Sequence, residues 1–184
     1  MNYKKHDVTL IIFSLFNIFL FFIGFYFNEN ASGGSKSDFL LHDYNVVTLF
    51  KENGVLESIL SKDYDSSRTP LFFIITKFIP WITDQQSQRV FSFIFSIVVF
   101  VLFFKALTFK FINQNRNFLF FISSIILLIP TFRGPAYWGQ PENFGYIFIM
   151  LGFIVYFNKN LFLKNKVFIT IFIFYLSFYC DQKH

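Results

Sequence analysis

At 184 residues, with a mean hydropathy of +0.50 and 54% hydrophobic residues, the chain has one domain's length but is too apolar for a soluble core of that size. Its net charge of +5 is modest, and no basic, aromatic-interleaved strand pattern points to nucleic acid. A single cysteine, Cys180, excludes an intramolecular disulfide and a CxxC metal site, and the three scattered histidines make no zinc motif.

Residues 8–27 form an uncharged run of twenty after Lys4 and Lys5, long enough to cross a ~30 Å hydrocarbon core as a helix. A secretory signal is the competing reading, but signal cores run to only about 7–15 residues and no A-x-A site follows. An uncleaved anchor is therefore expected. Residues 29–37 (ENASGGSKS) read as a turn-rich exit from the membrane, broken by Gly33 and Gly34. Asn30-Ala31-Ser32 matches a glycosylation sequon too close to the membrane to use.

The polar stretch that follows holds Asp38, Asp43, Glu52, Glu57, Asp63 and Asp65, six of the eleven acidic residues. Residues 39–60 read as an amphipathic surface helix, with Leu40, Tyr44, Val47 and Phe50 at three-to-four-residue spacing and Val55, Leu56, Ile59 and Leu60 beyond Gly54. Such a helix lies in the interface with its apolar side against lipid. Residues 70–82 are too short to span and contain Lys77 and Pro80, so they read as a second interfacial or re-entrant piece. Four more spans are expected at 90–109, 117–132, 143–157 and 167–180, with cores short of the ~20 residues usual for a span.

The fold class that results is an all-α membrane protein with about five transmembrane helices and one long outer loop carrying interfacial helices. It is a single membrane domain over 1–184. Residues 1–27 form the start and first span, 28–89 the outer loop, and 90–184 the four further spans. Charge counting orients it. With 70–82 not crossing, segments 1–7, 105–116 and 158–166 share one side, holding eight Lys/Arg and one acid. The other side holds eight Lys/Arg and ten acids. The basic side is cytosolic by the positive-inside rule, which puts the N-terminus inside and loop 28–89 outside. The last span ends close to His184, and this abruptness suggests the front of a longer protein.

Several features recur in order on the outer side. They are the early loop acid Asp43, Asp63, Thr69-Pro70 with its apolar run, Arg89 heading the second span, Tyr137-Trp138, Glu142 after Pro141, and Cys180-Asp181-Gln182. In this order the chain resembles the N-terminal part of the GT-C superfamily of membrane glycosyltransferases. That group includes protein O-mannosyltransferases, aminoarabinose transferases and dolichol-linked glucosyltransferases, and the loop spacing is most similar to the α-1,2-glucosyltransferases. The family's Asp-Glu pair is only half present, since Tyr44 follows Asp43.

The resemblance implies a polyprenyl-phosphate sugar donor, a hydroxyl acceptor on a glycan, lipid or protein, and a role in cell-envelope glycan assembly. It also implies inversion, with Asp43 as base and Glu142 as second acid. A hydroxyl is a poor nucleophile until a positioned base takes its proton, typically a 10²–10⁴-fold effect. Arg68, Arg89 and Arg133 are the candidate phosphate partners, since guanidinium binds phosphate bidentately. Tyr137 and Trp138 beside Arg133 form an aromatic-plus-cation cluster suited to sugar and phosphate together, although both are also ordinary interface-belt residues.

Other readings of the same residues stay open. Asp38 is the alternative base or a helix N-cap. Glu142 also suits the first turn of a helix, and Arg89 an interfacial anchor. The outer acids form no recognisable metal set, so no metal ligand is named and a divalent cation is left open. No P-loop, Rossmann glycine pattern, GxSxG or HExxH occurs. A non-catalytic membrane protein (a transporter or flippase fragment, or an assembly subunit) is the second function class.

Overall fold

A computed structural model describes residues 2–64, 69–159 and 163–180. Every regular element among them is helical. The first helix, α1, covers Asn2–Tyr26. The loop that follows carries α2 (Ser35–Asp38), a π-turn (Phe39–Asp43), α3 (Tyr44–Glu52), α4 (Val55–Leu60) and α5 (Leu71–Lys77). Then come α6 (Gln85–Lys110), α7 (Arg116–Ser124) with a 3₁₀ turn (Ile125–Leu128), α8 (Pro130–Trp138), α9 (Glu142–Phe157) and α10 (Leu163–Phe178).

Residues 7–26 of α1 and the whole of α6 are long and apolar enough to cross a membrane. A third span is added if α7, its 3₁₀ turn and α8 act as one element bent by 66°. The expected straight helix over 117–132 is thus corrected. Pro130 restricts the residue before it to extended backbone, and Ile129 sits at φ −72°, ψ 122°. Pro130 then opens α8 at a position where its missing N–H costs nothing. The reading of 39–60 as one surface helix also needs revision. It breaks at Asn53-Gly54, where Gly54 donates its N–H to the Glu57 carboxylate and α4 restarts.

The helix ends gather in two tiers. In one, Asp7 accepts from Asn115 at 2.6 Å, joining the start of α1 to the start of α7, and Lys110 lies 4.9 Å from the Phe157 ring, joining the ends of α6 and α9. In the other, the end of α1 meets Arg89 near the start of α6, and the Leu71 N–H donates to the Tyr179 carbonyl just past α10. The helices α6 and α9 run parallel, with α10 returning against α9. There Gly152 lies so close to the Phe174 ring that a Cβ would collide with it. Phenylalanines fill the core between, including Phe21, Phe39, Phe50, Phe72, Phe73 and Phe91, all at or below 2% exposure.

Candidate functional site

The sequence singles out residues scattered over a hundred positions, and the fold sorts them into two groups at the same tier. The first is a clamp around the end of α1. Arg89 donates from Nε to the Tyr137 carbonyl (2.7 Å), from Nη1 to Gln86 Oε1 (2.9 Å) and from Nη2 to Asn28 Oδ1 (2.5 Å). Its guanidinium lies 4.4 Å from the Trp138 ring and 5.4 Å from Phe25. Arg133 donates from Nε to Tyr137 Oη at 2.9 Å and pairs through Nη2 with Glu29. Tyr137 Oη donates in turn to the Phe21 carbonyl at 2.8 Å, and Trp138 Nε1 to the Glu29 carbonyl at 2.9 Å. Lys36 sits 5.4 Å from the Trp138 ring.

The fold thus brings Arg89, Arg133, Tyr137 and Trp138 together. Most of their donors, however, are committed to the protein itself. The clamp ties α1, α6 and α8 at a point where two guanidiniums are taken largely out of water, which is tolerable because both are hydrogen-bonded and Arg133 is paired with Glu29. Of the two guanidiniums, Arg133 keeps Nη1 outside these bonds. Gly24 makes room: a Cβ there would strike Arg133, Tyr137 and Glu29.

The second group surrounds Asp43. The preceding turn is π-helical, a widening often found at functional sites. It leaves both Phe39 and Asp43 facing inward with Val46, Val47 and Phe50. Asp43 is fully buried, and Gln140 Nε2 donates to its Oδ2 at 3.3 Å. Gln140 belongs to the turn 139–141 between α8 and α9, which Gly139 makes possible by adopting φ +72°. Glu142 opens α9 in the position expected and is 8% exposed. Asp38 is only half-buried and its side chain makes no capping bond, so it is not the N-cap considered from the sequence. Arg68, the remaining candidate, falls outside the described residues, as does Asp181.

Four residues that the sequence reading passed over complete this corner. Gln88 Nε2 donates to the Gly139 carbonyl at 3.2 Å. Asn143 Nδ2 donates to Ser96 Oγ and to the Phe132 carbonyl, both at 2.8 Å. Gln88, Ser92 and Ser96 are four residues apart, so they form one polar stripe on α6 facing the α8–α9 turn. Gln88 Oε1, Ser92 Oγ and Asn143 Oδ1 are buried with no hydrogen-bond partner among the described residues. Native proteins rarely leave such groups unmatched. The signal was present in the sequence as a glutamine, an asparagine and two serines at four-residue spacing inside apolar helices.

Among the described residues no three His, Cys, Asp or Glu side chains cluster as metal ligands. No family model, curated protein or solved structure matches the chain.

Proposed function

We propose that the chain is a glycosyltransferase of the GT-C kind, moving a sugar from a polyprenyl-phosphate donor to a hydroxyl acceptor at the outer face of the membrane. The observation that carries this reading is the corner at Asp43. The loop acid is buried in the fold and held by Gln140, two residues before Glu142. A buried carboxylate without a function is expensive. In this reading Asp43 takes the acceptor's proton as the hydroxyl attacks the anomeric carbon, inverting it. Glu142 is the second acid of the corner. Arg133, through Nη1, and Arg68 are the cations for the leaving lipid phosphate, while Arg89 holds the corner in place.

Five spans follow from the same reading: α1, α6, the bent α7–α8 element, α9 and α10. The two tiers support that count, because the ends of all five alternate between them. The bilayer then surrounds the helices, with the N-terminus cytosolic and loop 28–89 outside, in line with the charge asymmetry. The lengths of α9 and α10, 16 residues each, call for polar flanks to share the membrane's depth.

The test is transfer from polyprenyl-phosphate sugars in membranes carrying the protein as the cell makes it. Asp43→Asn keeps shape but cannot accept a proton, and turnover should fall roughly 10²–10⁴-fold, with Asp38→Asn far milder. Normal turnover by Asp43→Asn removes Asp43 from the chemistry. Absence of transfer by the wild type with every polyprenyl-phosphate sugar tried favours the non-catalytic reading.

A further inference from the structure

The loop fold brings two lysines from different helices within electrostatic range of each other. Lys51 Nζ donates to the Ile79 carbonyl at 2.7 Å, and Lys77 Nζ to the Phe50 and Asn53 carbonyls, each at 2.7 Å. An ammonium has three donors, so the pair keeps N–H groups beyond these bonds. Neither lysine forms an ion pair with a described carboxylate. Burial and, after it, the Lys77 charge push the Lys51 ammonium below its ordinary range. A half-buried positive pair of this kind is relieved by an anion.

A cavity of about 140 Å³ opens beside Lys51, lined by Tyr44, Thr48, Lys51, Glu52, Thr83 and Asp84 among others. It is far larger than one water needs. Its lining carries both signs of charge: Lys51, with the Lys77 charge acting on it, and the Glu52 and Asp84 carboxylates. A purely anionic guest would meet two carboxylates, and a purely cationic one would meet the lysine pair. Its depth is set by Asp84, which immediately precedes α6, the helix long enough to cross a membrane. That is the level of the headgroups. Trp81 and Phe78 nearby are 47% and 71% exposed, and tryptophan favours the membrane interface.

We infer that this cavity binds the headgroup of a phosphoethanolamine lipid, with its phosphate on Lys51 and its ammonium against Glu52 and Asp84. The primary ammonium matters, because it donates hydrogen bonds to carboxylates whereas a choline headgroup has no N–H to give. The inference is independent of the glycosyltransferase reading, since it concerns anchoring of the loop and not the corner at Asp43.

The experiment is native mass spectrometry of the full chain released from vesicles of phosphatidylcholine doped equally with phosphatidylethanolamine and phosphatidylglycerol. The wild type should retain phosphatidylethanolamine over each of the others by roughly tenfold, the scale of one or two charge-assisted bonds. Lys51→Gln and Glu52→Gln should each abolish the preference, and Lys51→Arg should keep it. The comparison among lipids on the wild type decides the matter even if a variant fails to fold. Equal retention of the three lipids, preference for phosphatidylglycerol, or an unchanged preference in folded Lys51→Gln would overturn the inference. So would retention of soluble phosphoethanolamine without any preference among the lipids, which would assign the cavity to a free small molecule.

Discussion

Replacing Arg89 by lysine separates two roles that the sequence alone could not. If Arg89 were only a phosphate ligand, the exchange would weaken donor use and leave the fold untouched. The structure gives it three hydrogen bonds to Tyr137, Gln86 and Asn28 and a stacked position over Trp138. A lysine keeps the charge but offers a point donor in place of the planar fork. It can satisfy one of these acceptors well, leaving the buried Tyr137 carbonyl or the Asn28 amide oxygen short of a partner. Loss at the buried carbonyl costs about 1–3 kcal/mol, whereas the exposed Asn28 and Gln86 can turn to water, so the variant should be destabilised by roughly 2 kcal/mol. For a chain of this size that lowers a thermal midpoint by roughly 4–8 °C. The assay is thermal unfolding in one detergent at one scan rate, followed by tryptophan fluorescence, since Trp138 reports on the clamp directly. A midpoint within a degree of the wild type would refute the clamp and return Arg89 to the list of free phosphate ligands.

Other outcomes follow from particular contacts. With Cys180 replaced, a cysteine at Thr83 should react with a membrane-impermeant thiol reagent in intact cells and one at Asn113 should not; the reverse pattern inverts the orientation. Ser87 bonds hold the Asp84 carboxyl below its ordinary value of 3.8, the backbone bond from Ser87 N to Oδ1 being 2.7 Å. The stabilisation from this cap is therefore present above about pH 4 and is lost as pH falls through the lowered value. Asp84→Asn should flatten that acid limb of a stability–pH curve, and an unchanged acid limb would remove the cap from the explanation.

The parts of the fold legible in the sequence were those governed by a single local signal. Uncharged runs marked α1, α6, α9 and α10 to within a few residues, because burial in lipid or in a phenylalanine core imposes the same requirement along the whole helix. The break at Ile129 was missed although Pro130 announces it, since hydropathy continues smoothly across the bend. The π-turn left no mark in the hydropathy pattern, and the partner that Asp43 meets, Gln140, lies 97 residues away. Arg89, Arg133, Tyr137 and Trp138 were picked out by residue type. Their mutual bonding, which makes them a clamp, needed the end of α1 beside them, and nothing local in the sequence encodes that approach. The lysine pair at 51 and 77 escaped for the same reason.

The clamp and the acid corner are joined through seven consecutive residues. From 137 to 143 the chain is fastened to α6 or the loop at Tyr137 by Arg89, at Gly139 by Gln88, at Gln140 by Asp43 and at Asn143 by Ser96. The pivot is Gly139, whose φ of +72° lies in the left-handed region. An added Cβ there would sit 2.8 Å from Phe39 Cε2 and 3.1 Å from Gln88 Cγ. Gly139→Ala therefore meets a backbone cost of roughly 1–2 kcal/mol and a steric one, since Phe39 is fully buried and has nowhere to retreat. Phe39 begins the π-turn that ends at Asp43, so the strain should pass directly to the acid. The expected result is a loss of activity larger than the loss of stability, with Gly139→Ala failing at temperatures where it is still folded by fluorescence. Gly33→Ala supplies the control: it shares the positive φ, at +76°, but has open space around it, so it should bear the backbone cost alone and keep full activity while folded. If both alanine variants behave alike, the corner is not held through Gly139, and the coupling between clamp and acid has to run by another path.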